Sequence, residues 1–78
     1  MYIITMSKSH PPQEQIDYVL NLFKSDQIRE ALDFIKTLSK DYPDESILFN
    51  IRGACYASLG QLDIAVQSYE KALSIKPN

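Results

Sequence analysis

The sequence predicts an all-α fold in which four helices form two tandem helix-turn-helix repeats. After Pro12, proline and glycine occur only at Pro43, Gly53, Gly60 and Pro77. The stretches between these breakers carry apolar residues at intervals of three and four, which is the spacing of an amphipathic helix. The chain also matches itself at a fixed interval, which is typical of repeat architectures. Together these observations favour a short α-solenoid.

The boundaries of the first two helices follow from the conformational limits of proline and from one short polar loop. Pro12 suits the first turn of a helix because its missing N–H is not needed there, and no breaker follows before Lys24. Residues 25–27 form a short polar joint. The second helix starts at Ile28 and ends before Pro43, since the residue preceding a proline avoids the helical conformation.

A cap and a glycine mark the third and fourth helices. Asp44 is the expected N-cap of helix three, which continues to Leu59 and stops at Gly60, a residue suited to the left-handed conformation beyond a helix end. Helix four runs from about Leu62 to Ile75. Because the joints are short, each helix should pack antiparallel to the next one along the chain.

The composition predicts one soluble domain without a nucleic-acid or membrane partner. The 78 residues carry a formal charge of -2, and the eight Lys and Arg residues are scattered among the acids, so no surface for nucleic acid is expected. The apolar start from Met1 to Met6 is too short for a membrane span or a signal-peptide core. Cys55 is the only cysteine, which favours a reducing compartment, and we expect a cytoplasmic protein.

Catalytic chemistry finds little support in the sequence. A nucleophilic Cys55 would need a base within reach, and the only histidine, His10, precedes the first helix. A cysteine inside a helix more often packs as a small hydrophobe. One histidine and one cysteine fall short of a structural zinc site, and a glycine-rich phosphate loop is missing. We therefore expect no enzymatic activity, no metal and no cofactor.

The internal match has a period of 34 residues. It aligns three identical pairs, Gln27 with Gln61, Ala31 with Ala65, and Pro43 with Pro77. These pairs fall at the start, the first turn and the end of the second helix in each unit. The period therefore coincides with one helical hairpin.

The second unit resembles the tetratricopeptide repeat. Small residues stand where two helices would cross and large residues stand beside them, at that family's spacings: Phe49, Gly53, Tyr56, Gly60, Ala65, Tyr69, Ala72 and Pro77. The resemblance implies a short right-handed α-solenoid over residues 12–78. Repeat one covers about 12–45 and repeat two about 46–78, after a flexible or capping segment of residues 1–11.

Three residues depart from the family's pattern. Val19 stands where the first repeat should have its small glycine, which predicts a wider helix crossing, and Asp26 replaces the turn glycine. Arg52 occupies a position that is usually aliphatic in the family. We expect its stem to pack while its guanidinium reaches solvent or an acid.

The resemblance implies that a protein or peptide partner binds along a concave face formed by the first helix of each repeat. The residues of this candidate groove are Ile16, Leu20, Phe23 and Lys24 in helix one and Ile47, Asn50, Ala54, Ala57 and Ser58 in helix three. Asn50 is the best polar contact, because its amide both donates and accepts hydrogen bonds.

The groove positions of helix one leave two interpretations open. Some family members hold a peptide's free carboxylate with paired Lys and Asn, but Ile16 and Leu20 occupy those positions here. A carboxylate clamp is therefore not expected. The face of Ile16, Leu20 and Phe23 suits either a groove or core packing against the third helix.

Helix four presents an apolar face that two repeats leave uncovered. Its residues are Leu62, Val66, Tyr69, Leu73 and Ile75. Solenoids normally stack three or more repeats, so we expect a cover from a continuation of the array, from a second copy of the chain, or from Met1 to Met6. We favour a continuation, with homodimerisation of the isolated chain through this face.

Two functions are consistent with this sequence. One is a non-enzymatic interaction scaffold that binds a peptide or partner protein in the groove. The alternative is an N-terminal assembly or oligomerisation segment of a longer repeat-containing protein, which can itself be an enzyme.

Overall fold

The computed structural model describes residues 10–77, which form four α-helices and contain no strand. The helices are α1 (Gln13–Lys24), α2 (Ile28–Asp41), α3 (Ser46–Ser58) and α4 (Leu62–Ile75). Each helix packs on the next one along the chain. The predicted all-α helical-repeat fold is confirmed. The interpretation of Met1 to Met6 as a cover for helix four lies outside the described residues.

Both repeats turn in the same way between their two helices. After α1, the Gln27 N–H donates to the Leu22 carbonyl at 2.8 Å, and after α3 the Gln61 N–H donates to the Tyr56 carbonyl at 2.9 Å. This hydrogen bond closes a helix C-terminus when the residue just before its donor is left-handed. The repeat seen in the sequence is thus also a repeat of backbone geometry.

The left-handed residue of each turn is Asp26 in the first repeat and Gly60 in the second. Their φ angles are 63° and 77° respectively. Aspartate tolerates this region better than most residues because its side chain is short and polar. Asp26 therefore adopts the conformation expected of the turn glycine, and its presence does not interrupt the repeat.

The predicted N-cap of α3 is wrong by one residue. Asp44 lies inside a turn that is closed by a hydrogen bond from the Glu45 N–H to the Tyr42 carbonyl at 3.3 Å, and α3 begins only at Ser46. Glu45 precedes the helix without a capping hydrogen bond from its side chain. Its carboxylate instead lies 3.0 Å from Nδ1 of His10, which ties the segment before α1 to the turn before α3.

One apolar core is shared by α1, α2 and α3. Its buried residues are Ile16, Val19, Leu22, Ile28, Ala31, Ile35, Leu38, Leu48, Ile51 and Cys55. The fourth helix joins through two buried alanines, Ala65 and Ala72. Their small side chains let α4 lie close to α3.

The α3–α4 pair makes the closest helix contact of the described chain. The ring of Tyr69 lies directly over Gly53, and a Cβ added at Gly53 would stand 2.7 Å from Cε1 of that ring. The α1–α2 pair approaches less closely. This difference has the direction that the sequence predicts for a first repeat with Val19 in place of the small glycine.

Replacement of Gly53 by alanine should lower the free energy of unfolding by about 1 to 3 kcal/mol, because the added methyl group overpacks the seam against Tyr69. Urea denaturation followed by circular dichroism measures the change. In a Tyr69→Leu background, the same replacement should cost much less, because the flexible leucine can move aside. An unchanged or higher stability of Gly53→Ala would contradict the contact, since alanine is intrinsically the better helix former.

Candidate protein-binding surfaces

The row of residues predicted for the groove on α3 lies on one side of the helix. Residues that follow each other in a helix are about 100° apart, which puts Ile47, Asn50, Ala54, Ala57 and Ser58 on a common face. Ala54 is half-buried and the other four are exposed. The Asn50 amide forms no hydrogen bond with another described residue. Three of the five side chains on this face are short, and Asn50 supplies its only amide.

The groove positions of α1 are less accessible. Ile16 is 5% exposed and belongs to the core, so the core-packing interpretation holds for this residue. Leu20 and Phe23 are half-buried and pack against the same core, while Lys24 is exposed. Only three of the four predicted positions on α1 therefore offer surface to a partner.

The apolar face predicted for α4 is exposed in the structure. Leu62 is 62% exposed, Leu73 56% and Val66 52%. Tyr69 is 38% exposed. Ile75 is half-buried and lies about 160° around the helix from Leu73, so it does not belong to this face as predicted. Tyr69 has two roles, because one side of its ring covers Gly53 while the rest faces outward with its neighbours on α4. The exposed face of α4 is therefore continuous, through Tyr69, with the contact between α3 and α4.

A crevice between α2 and α3 forms a third surface, which is not predicted from the sequence. It has a volume of about 460 Å³ and is lined by Leu32, Asp33, Ile35, Lys36, Ser39, Phe49, Arg52 and Tyr56. The Arg52 guanidinium lies over the Tyr56 ring, with Cζ 5.3 Å from the ring centroid. The guanidinium of Arg52 thus contacts an aromatic ring, whereas solvent or an acid was expected. The signal in the sequence was an arginine where the family places an aliphatic side chain.

Cys55 packs as the small buried hydrophobe that the sequence predicts. Its side chain is fully buried, and desolvation raises the pKa of its thiol. His10 is engaged with Glu45 instead. Within residues 10–77, no three His, Cys, Asp or Glu side chains are grouped in a way that could hold a metal ion.

Comparison with known proteins agrees with the geometry of the helices. Residues 46–78 match the family model described as tetratricopeptide repeat. The second repeat, residues 46–78, is therefore a helical hairpin of the tetratricopeptide class. Repeats of this family form a non-catalytic fold that mediates interactions between proteins. No solved structure matches the chain.

Three curated relatives are similar to most of the chain. The peroxisomal targeting signal receptor of Kluyveromyces lactis is 25% identical over 67 residues, which cover 86% of this chain and 12% of the receptor. The receptor of the same name from Candida glabrata is 25% identical over 76 residues, or 97% of this chain and 13% of the receptor. Anaphase-promoting complex subunit 3 of Dictyostelium discoideum is 34% identical over 56 residues, or 72% of this chain and 6% of the subunit. The chain thus spans a small fraction of each relative.

None of the four helices is both long enough and apolar enough to cross a membrane, as far as the described residues extend.

Proposed function

We propose that this chain is a non-enzymatic interaction scaffold that binds an extended peptide or a partner segment along α1 and α3. The observation that carries the proposal is the exposed face of α3, where the Asn50 amide is followed by the short side chains of Ala54, Ala57 and Ser58. Short side chains let a bound backbone approach the helix. An amide beside them can accept from a peptide N–H and donate to a peptide carbonyl.

The partly exposed side chains of Leu20 and Phe23 supply apolar surface on the α1 side. Ile47 adds a further apolar contact at the start of α3, where it is 38% exposed. Lys24 places a cation at the end of α1. A ligand with apolar side chains and a hydrogen-bonding backbone fits this combination, as peptides do.

The relatives and the chemistry of the interior support the same proposal. Two of the relatives are receptors for a targeting signal, which is a recognition function. The one cysteine is buried with a raised thiol pKa, which is the opposite of what a nucleophilic cysteine requires. Recognition without chemistry therefore accounts for the residues better than catalysis does.

Asn50→Ala should weaken peptide binding about fivefold, corresponding to the loss of about 1 kcal/mol from a hydrogen bond. The ligands are peptides selected from a random display library on the immobilised chain, with the Ala57→Arg chain in solution as competitor. In the competitor, the arginine side chain blocks the α3 face. Peptides that bind any other surface are therefore taken up by the competitor, and only peptides that need the α3 face stay on the immobilised chain. Fluorescence polarisation of the synthetic peptides gives the affinities.

The matched control is Asn21→Ala, which removes the same exposed amide from α1 outside the groove positions. It should leave the affinity unchanged. Equal affinity of the wild-type and Asn50→Ala chains would reject Asn50 as a contact. A selection that enriches no peptide over the competitor would reject the groove itself.

Assembly through α4 is a second candidate function, and the exposed apolar side chains of Leu62, Val66 and Leu73 favour it. An antiparallel pair of α4 helices from two copies would cover them. It would also bring Asp63, near the start of one helix, towards Lys76, just past the end of the other. The similarity to a subunit of the anaphase-promoting complex is in keeping with an assembly role.

Val66→Glu should raise the dimer dissociation constant at least tenfold, because a two-fold interface would bury two unpaired carboxylates. Sedimentation equilibrium over a wide concentration range measures this constant. Gln67→Glu adds the same charge on the exposed side of α4 beside the face and should leave the dimer intact. Tyr69 is unsuitable as the test position because its ring also packs on Gly53. A wild-type chain that stays monomeric, or equal effects of the two variants, would contradict assembly through α4.

A further inference from the structure

The crevice between α2 and α3 lies on the side of α3 opposite to the groove row. Phe49, Arg52 and Tyr56 share one face of α3, about 160° around the helix from the row of Asn50, because each residue advances by about 100°. A ligand in the crevice would therefore not compete with a peptide bound along the row of Asn50. The crevice is a separate surface.

Cations from two helices line this crevice, and a cation from a third helix lies beside one of its aromatic rings. Arg52 of α3 and Lys36 of α2 line it. Lys71 of α4 does not line the crevice, but its Nζ lies 5.8 Å from the ring centroid of Phe49, which does. Asp33 is the only acid in the lining. The crevice is thus locally cationic on a chain whose formal net charge is -2.

None of these cations forms an ion pair within the described part of the chain. The ion pair seen in residues 10–77 joins His10 to Glu45, and no carboxylate there lies within ion-pair distance of Arg52, Lys36 or Lys71. A half-buried guanidinium that lacks an acid retains unused hydrogen-bond donors. An anionic group from outside the chain would satisfy them.

The Arg52 guanidinium already has a favourable neighbour in the crevice. The cation–π contact with the Tyr56 ring favours this position of the side chain, so a carboxylate that pairs with it loses less side-chain entropy on binding. The fork of N–H groups matches the two oxygens of a carboxylate. Leu32, Ile35 and Phe49 supply apolar wall beside it. The volume of about 460 Å³ is within the range of sites for small ligands and inserted side chains.

We propose that this crevice is a second recognition site, which binds an acidic peptide by inserting one Asp or Glu side chain against Arg52. The apolar neighbours of the inserted acid pack on Leu32 and Phe49, while Lys36 and Lys71 contribute long-range attraction. Asp33 favours a singly charged carboxylate over a doubly charged phosphate, because like charges repel. The site goes beyond the proposed groove, since it lies on the other side of α3 and selects by charge.

Arg52→Leu is the decisive variant, because leucine is the type of residue that the family places there. The variant should therefore fold at least as stably as the wild type, which thermal melting by circular dichroism checks. Peptides are selected from a random display library on the immobilised wild-type chain, with the Arg52→Leu chain in solution as competitor. The enriched peptides should share an Asp or Glu.

Binding of the synthetic peptides, measured by fluorescence polarisation, should fall at least tenfold in Arg52→Leu. It should fall similarly when the shared acid is replaced by its amide. Arg29→Leu removes an exposed arginine elsewhere on α2 and should change nothing. Asn50→Ala should also leave these peptides bound, so failure of this site and failure of the groove are distinguishable.

Three results would overturn the proposal. The first is the absence of enrichment over the competitor, and the second is a set of enriched peptides that lack acids or bind Arg52→Leu equally well. The third is tighter binding when phosphoserine replaces the shared acid, which would make the crevice a phosphate site instead.

Discussion

The contact of the Tyr69 ring with Gly53 is the constraint on which the rest of the second repeat depends. Because Gly53 has no side chain, the ring lies against the backbone of α3 and the two helices approach closely. That approach buries Ala65 and Ala72, which hold α4 in place. It also fixes the rotation of α4 about its axis, so that Leu62, Val66 and Leu73 face outward. The exposed apolar face thus results from the packing of the seam.

Helix α3 lies between α2 and α4, and nearly every side of it either packs on a neighbouring helix or carries a candidate binding surface. Leu48, Ile51 and Cys55 enter the core shared with α1 and α2, and Gly53 receives Tyr69. Between these buried sides remain two strips, one with Asn50 and one with Arg52. A chain of this length has little core to spare, so a rigid α3 is what allows both strips to keep a defined geometry.

The sequence predicted the helices well because each boundary rests on a local rule. The turns that end α1 and α3 each depend on one left-handed residue. Gly60 indicates the second turn directly, and Asp26 could be assigned to the first by its alignment with Gly60. The start of α3 was misplaced because the turn after Pro43 is closed by a backbone hydrogen bond that leaves no trace in residue types. Burial of Ile16 was left open, since an apolar stripe on a helix does not reveal which neighbour covers it.

The surfaces were predicted unevenly for a similar reason. The exposed face of α4 could be predicted from the repeat pattern, because two repeats contain no further helix to pack on it. The crevice depends on the direction of the Arg52 side chain and on how α2 and α3 pack around it, and no local rule gives such an arrangement. The sequence did mark the position, because an arginine at an aliphatic site needs an explanation.

Native-state hydrogen exchange in low concentrations of urea tests the central role of the Gly53–Tyr69 seam most directly. If the seam unites α3 and α4, amides around Ile51 to Cys55 and amides around Ala65 to Ser68 should exchange through one common opening, with the same free energy as global unfolding. Exchange of the α4 amides through an opening of much lower free energy, while α3 stays protected, would contradict the account.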